Sequence, residues 1–208
     1  MMRVLAPLVL VGTLALPLRA APASDLLSRM NAVNPSLHAF TATLHAHVSM
    51  KTFPFLTAEL IGTYYYKEPD KTKVAFTKGV PIPGIASQFD NLYAHIEKPS
   101  RWKDVYDVAL VSDDGKTTVF KLTPRKQGNV EHIDATVDDR RATVTSMRWN
   151  YANGGTAEMT NTYGRVQGYV LVVSQTGRVD EPGYVADLAS TIDNYAINPT
   201  LSDSVFSQ

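Results

Sequence analysis

Between Phe40 and Met50 the chain alternates: Phe40, Ala42, Leu44, Ala46, Val48 and Met50 fall on one side, and Thr41, Thr43, His45, His47 and Ser49 on the other. A period of two is that of a β-strand, so the segment predicts a long strand with one apolar face. Ala58, Leu60, Gly62, Tyr64 and Tyr66 repeat the pattern against Thr57, Glu59, Ile61, Thr63, Tyr65 and Lys67. After a Glu68-Pro69-Asp70 turn, Val74 and Phe76 belong to a third strand. Further strands are predicted over 105–111, 117–123, 130–137, 142–151, 156–163, 169–175 and 185–195. They are divided by the turns Asp113-Asp114-Gly115, Asp138-Asp139 and Asn153-Gly154-Gly155, and by a loop holding Gly177, Pro182 and Gly183.

Helical spacing shows in two places. Ser24 is placed to cap a first helix, with Asp25 in its first turn, Leu26, Leu27, Met30 and Val33 on one face and Asn34-Pro35 as the stop. Ile85, Phe89, Leu92, Tyr93 and Ile96 form a second stripe that ends before Pro99. The loop ahead of it, Gly79-Val80-Pro81-Ile82-Pro83-Gly84-Ile85, is unusually apolar for a connection. Many strands with few helices exclude parallel α/β layers, which need strand and helix in alternation. The expected fold is mainly β (α+β): a curled antiparallel half-barrel of about ten strands, with one or two helices as a lid. The apolar loop and the helix after it supply the lid residues Val80, Ile82, Ile85, Phe89, Leu92 and Tyr93, because an apolar loop is costly unless it meets lipid or protein.

Charge narrows the function. Twenty basic residues balance twenty acidic ones, and no basic run is longer than Pro124-Arg125-Lys126, so a nucleic-acid partner is not expected. The absence of cysteine excludes disulfides, a thiol nucleophile, a cysteine zinc site and a lipid anchor on cysteine. At the start, Met1-Met2-Arg3, the apolar run Val4–Leu18 and the small residues up to Ala23 predict a cleaved signal peptide over 1–23 and one exported domain over 24–208.

Candidate chemistry is thin. His45, His47 and Glu59 share the polar side of the first two strands, but two histidines two residues apart are more simply a solvated face than a metal site. Asp113-Asp114 and Asp138-Asp139 are placed as turn formers rather than as an acid/base pair. In the run Tyr64-Tyr65-Tyr66 the first and last belong to the apolar wall and the middle one to the outer face. Arg101-Trp102-Lys103 and Arg148-Trp149 are expected as ordinary surface. No nucleophile elbow, zinc-protease helix, phosphate loop or dinucleotide fingerprint is present. No catalytic residue, metal or cofactor is therefore expected, and the chain does not read as an enzyme.

Several phrases in this order resemble the LolA-type lipoprotein-carrier family, which includes LolB and RseB. They are the leading helix Asp25–Val33, the stretch Glu59-Leu60-Ile61-Gly62-Thr63-Tyr64-Tyr65-Tyr66-Lys67-Glu68-Pro69-Asp70, Lys121-Leu122-Thr123-Pro124-Arg125-Lys126 and Met147-Arg148-Trp149. The closing Asp193-Asn194-Tyr195-Ala196-Ile197-Asn198, followed by Leu201, Ser202, Asp203 and Phe206, completes the set. The resemblance implies a periplasmic, monomeric carrier of lipid or lipoprotein acyl chains, with transient contact to a membrane or membrane protein. It implies an apolar cavity at Phe40, Leu44, Val48, Leu60, Tyr64, Tyr66 and Phe76. Carriers of this type hold the lid with an arginine in the early strands, where Lys67 is the nearest basic residue here. The alternatives are an RseB-like sensory or structural module without bound lipid and a small-molecule enzyme on the same fold.

Overall fold

The alternation at Phe40–Met50 becomes β1 (Ala39–Met50), and the repeats after it become β2 (Thr57–Lys67) and β3 (Lys71–Lys78) in a computed structural model that describes residues 23–53, 55–69, 71–79 and 99–207. Helix α1 (Ala23–Asn31) precedes them and begins one residue before Ser24, so Ser24 lies inside the helix rather than capping it. A 3-10 turn (Pro99–Arg101) and the short helix α2 (Trp102–Val105) lead into β4 (Tyr106–Asp113), β5 (Thr117–Pro124), β6 (Val130–Asp138) and β7 (Thr143–Tyr151). Then come β8 (Thr156–Val166), β9 (Tyr169–Glu181) and β10 (Tyr184–Ile197), and a last 3-10 turn spans Asp203–Phe206.

All ten strands form one antiparallel sheet in the order β3-β2-β1-β10-β9-β8-β7-β6-β5-β4. The meander is broken once, where β10 returns to pair with β1. Among the described residues β3 and β4 each pair with one strand and form the two edges, so the sheet is not closed. The mainly β expectation and the count of strands hold. The second helical stripe over 85–96 and every lid residue from Val80 to Tyr93 lie outside the described residues.

Register joins the apolar faces into continuous rows. Ala135, Met147, Met159, Gly177, Leu188 and Val48 are successive neighbours across β6, β7, β8, β9, β10 and β1. Ile133, Trp149, Ala157, Val179, Ala186 and Met50 form the row beside it. Both rows mix large side chains with small ones, which lets neighbours fill the space over a curled surface. Gly177 therefore lies within β9 and not in the loop expected there. A Cβ at this position would sit 2.8 Å from the Glu158 carbonyl oxygen, so glycine allows close approach of β8, while Gly183, at φ 101°, makes the turn.

The two tryptophans correct the expectation of ordinary surface. Trp102 is fully buried and Trp149 is 3% exposed. On β7 the inward positions are Met147, Trp149 and Tyr151, which leaves Arg148 on the outer side, so the basic neighbour says nothing about the indole. Trp102 lies on a helix of one turn, too short to show a period. Its ring meets Phe120 of β5 edge-on at 6.1 Å.

Candidate functional site

The antiparallel register gives the half-barrel two ends. At one, α1 and the turn after it meet the starts of β1, β7 and β9; at the other lie Met50, Val130, Tyr151 and Tyr184. α1 turns Leu26, Leu27 and Met30 inward and all three are buried. Asp25 and Arg29 pair across one helical turn at 3.4 Å, acid toward the N-terminus and base toward the C-terminus, as the helix dipole favours. Arg29 Nη1 also donates to the Asp139 carbonyl at 2.7 Å, and Asn34 exchanges two hydrogen bonds with the main chain of Val170, at 2.8 and 3.0 Å. The Asn198 amide ties the start of β1 by accepting from the N–H groups of His38 and Ala39. Only about 40 Å³ of space remains there, bordered by Met30, Leu37, Tyr66, Pro99, Val144 and Tyr163 among others.

The cavity residues implied by the resemblance stand together on β1, β2 and β3. Phe40, Leu44, Val48, Leu60, Tyr64 and Tyr66 are buried, and Phe76 is partly buried against the same cluster. The Phe40 ring lies 5.1 Å from Tyr64, 5.2 Å from Tyr66 and 5.3 Å from Tyr195, so these aromatics fill one another's space near α1. Lys67 holds no lid residue among the described ones. Its ammonium donates to the Leu201 carbonyl at 2.8 Å and to Asp203 at 2.7 Å, which fastens the C-terminal tail across β2.

At the other end the side chains leave a cavity of about 590 Å³. That is within the range of small-molecule sites, roughly 300–1,000 Å³. Its walls come from the Pro99–Arg101 turn (Arg101), α2 (Asp104, Val105), the start of β4 (Tyr106), the end of β5 and the turn after it (Pro124, Arg125, Lys126, Gly128, Asn129) and the inner side of β6 and β7 (Val130, Ile133, Trp149, Tyr151). Ile133 and Trp149 are register partners and so form a continuous floor. Tyr151 stays a neutral phenol: burial, then the nearby Glu181 and Tyr184, push its pKa up to about 12. Burial likewise raises the phenol of Tyr106. Glu181 accepts a hydrogen bond on Oε2 from the Asn153 amide at 2.8 Å. A floor of aliphatic and aromatic carbon with un-ionised phenols can hold hydrocarbon, and it offers no pair of groups for proton transfer.

The inward face also carries a polar row. Asn161, Gln175 and Ser190 are successive neighbours on β8, β9 and β10, and all three are buried. Gln175 Nε2 donates to Asn161 Oδ1 at 2.8 Å, and Asn161 Nδ2 donates to the Val144 carbonyl at 3.0 Å. Outside, His47 pairs with Glu59 on β2, while His45 faces Asp193 on β10 at 3.9 Å, so the two imidazoles diverge to opposite neighbours. Among the described residues no three acids or histidines converge as a metal would require. The paired aspartates do form turns: Asp114 accepts from the N–H groups of Lys116 and Thr117, which hold its carboxyl below the usual range, and Asp138 accepts from Arg141 N. Val105, Tyr106, Val130, Ile133, Trp149 and Tyr151 were not foreseen as a site, although the alternation of Met147, Trp149 and Tyr151 is visible in the sequence.

No protein-family profile and no curated protein matches the sequence. Solved structures do match the fold. A DUF1329 family protein from Desulfovibrio piger superposes with a TM-score of 0.61 at 13% identity, covering 88% of this chain and 94% of that one. A domain from Vibrio parahaemolyticus provisionally assigned to outer membrane lipoprotein sorting gives 0.59 at 11% identity, over 88% and 94%. The LolA superfamily protein NE2245 from Nitrosomonas europaea gives 0.56 at 11% identity, over 91% of this chain and 99% of that one. At these identities the likeness shows architecture, and the ten-stranded open sheet with its few short helices has the LolA-type fold.

Proposed function

We propose that the protein is an exported carrier, acting in the periplasm after loss of residues 1–23, which holds the acyl chain of a lipid or lipoprotein inside the half-barrel. The observation that supports this reading is the 590 Å³ cavity bordered by Ile133, Trp149 and Tyr151 at one end of the half-barrel. A chain drawn from water onto such a floor gains roughly 0.8 kcal/mol per buried methylene, without any catalytic group. The wall at Phe40, Leu44, Val48, Leu60, Tyr64, Tyr66 and Phe76 is proposed to back the same interior and to yield when longer cargo enters. Purification of the full chain without detergent, followed by mass spectrometry before and after solvent extraction, tests the proposal. A stoichiometric acyl-bearing ligand is expected. A ligand-free protein that also fails to take up a fluorescent fatty acid overturns it.

A second reading, a module that engages another protein, is favoured by the β4 edge. Leu110 and Val111 are exposed there, on a strand that among the described residues pairs only with β5, and such an edge suits addition of a partner strand. A ligand-free protein that binds an extended peptide along β4 is the outcome that selects it.

A further inference from the structure

Five large apolar side chains are exposed among the described residues, and three of them share the β1–β2 turn: Phe53 at 46%, Phe55 at 86% and Leu56 at 40%. We infer that this tip docks the protein on a lipid surface, with Phe53, Phe55 and Leu56 entering the headgroup and upper acyl layer of a bilayer. This goes beyond the carrier reading, because it names the surface that meets the membrane and needs no cargo in the cavity.

The main chain holds these side chains in place. Lys51 and Thr52 donate from their N–H groups to the Val185 carbonyl, at 2.7 and 3.5 Å, and the Val185 N–H donates to Thr52 Oγ1 at 2.7 Å, which ties the turn to the start of β10. Within it the Leu56 N–H donates to the Phe53 carbonyl at 2.8 Å and the Met50 N–H to the Leu56 carbonyl at 3.0 Å. At the base Lys51 pairs with Asp187 at 3.0 Å, a charged pair that belongs at headgroup level and limits insertion to the tip. Met50, the last residue of β1, stands in the same cross-strand row as Ile133 and Trp149. The turn after it therefore leaves the half-barrel at the end that holds the 590 Å³ cavity. The other described turns, over 114–116, 125–129, 139–142, 152–155, 167–168 and 182–183, bear no aromatic or large aliphatic side chain.

A bilayer suits this tip better than a protein does. At their exposures the three side chains offer on the order of 300 Å², from roughly 200 Å² for a whole aromatic side chain, against about 800 Å² on each partner of a stable protein interface. The N–H groups of Met50, Lys51, Thr52 and Leu56 are already used, so the turn presents no ladder to an added strand. A membrane interface asks for neither area nor a ladder: it accepts a projecting apolar side chain for the water that side chain gives up, and a few of them give reversible attachment.

Protein purified from the periplasm of an expressing cell is mixed with vesicles of phosphatidylcholine, alone or with phosphatidylglycerol. Phe55→Trp puts a reporter on the tip, over a constant background from the buried Trp102 and Trp149. With either vesicle the emission of this variant should move to the blue and be quenched by chain-brominated lipid, while wild-type emission stays unchanged. Phe55→Ser should lower the vesicle partition coefficient on the order of tenfold, as expected for one aromatic ring carried out of water. Its urea midpoint and its uptake of a fluorescent fatty acid from solution should match the wild-type protein, which shows that fold and cavity are intact. A reporter that ignores vesicles, or a partition coefficient that Phe55→Ser leaves unchanged, overturns the inference. So does attachment that requires phosphatidylglycerol and vanishes in high salt, because charge then makes the contact. A dimer seen by sedimentation and abolished by Phe55→Ser overturns it in favour of a second copy. If the reporter embeds while the wild-type protein takes up no fatty acid, the carrier reading falls and the docking tip stands.

Discussion

The two ends of the half-barrel are built from the same alternating strands and finish in opposite states. Where α1 enters, Leu26, Leu27 and Met30 are buried, Phe40 packs with Tyr64, Tyr66 and Tyr195, and the space bordered by Met30 and Tyr66 is about 40 Å³. At the far end Ile133, Trp149 and Tyr151 are buried too, yet they border a cavity of about 590 Å³. What differs is the covering element. α1 spans nine residues with three buried apolar side chains, whereas α2 has a single turn and sends one indole, Trp102, into the interior. Strand patterning decides which face is apolar. The size of the helix laid on that face decides whether it becomes core or cavity.

Trp102 is the largest fully buried side chain among the described residues, and its loss should have the largest effect. Trp102→Ala should cost about 3–5 kcal/mol of stability, the range for a large aromatic removed from a core, read as a lowered urea midpoint. The same variant should still take up a fluorescent fatty acid, because the Ile133 and Trp149 floor is untouched. A fall of less than 1 kcal/mol would show that the cavity already extends beneath the ring.

The contrast between ends also predicts unequal costs for like deletions. Leu27→Ala at the packed end removes side-chain atoms that have neighbours on every side and should cost about 2–5 kcal/mol. Val130→Ala on the cavity wall removes methyl groups that face space and should cost about 1 kcal/mol, since the contacts given up are few. Matched urea titrations of the two variants check this. Equal losses would mean that the open end is as well filled as the other.

This difference marks the limit of what the sequence discloses. The ten strands, the single apolar face and α1 are legible in periods of two and of three to four, because those periods follow from backbone geometry. Tyr64 and Tyr66 inward with Tyr65 outward, and the turn-forming aspartates, are legible for the same reason. The cavity is not. Alternation places Trp149 on the inner face, but the pairing of Ile133 with Trp149 and the reach of α2 over β5 are set by register and by contacts distant in sequence. Gly177 shows the converse error: a glycine suggests a turn, and here it serves the close approach of two strands.

The closure of the α1 end by hydrogen bonds gives a smaller prediction. Asn34 is paired to both the N–H and the carbonyl of Val170, and this exchange, part-buried, clamps the turn after α1 to β9. Asn34→Ala leaves both main-chain groups without that partner and should cost about 1–3 kcal/mol. Amide exchange should quicken at Val170 and in α1 while the far end is unaffected. Uniform quickening over the sheet would instead show that the two ends open as one unit.

The smallest effect belongs to the C-terminal tail, which is fastened beside the packed end by charge. Hydrogen bonds from Lys67 and Lys71 hold the Asp203 carboxyl below its ordinary value of 3.8, and Lys73 donates to the Val205 carbonyl at 2.7 Å. A pKa lowered by folding means that this attachment is complete above pH 3.8 and is lost as the pH falls through the lower folded-state value. The pair is exposed, so the global unfolding midpoint should hardly move. The local signature is the N–H groups of Val205 and Ser207, which donate to Ser202 and Ser204 within the tail's own turn. Their hydrogen exchange, corrected for intrinsic rate, should accelerate in acid, and Asp203→Asn should show the accelerated rate already at neutral pH. If the variant and the wild-type protein exchange alike at neutral pH, then Lys73 and the carbonyl contact at Leu201 hold the tail without the carboxylate.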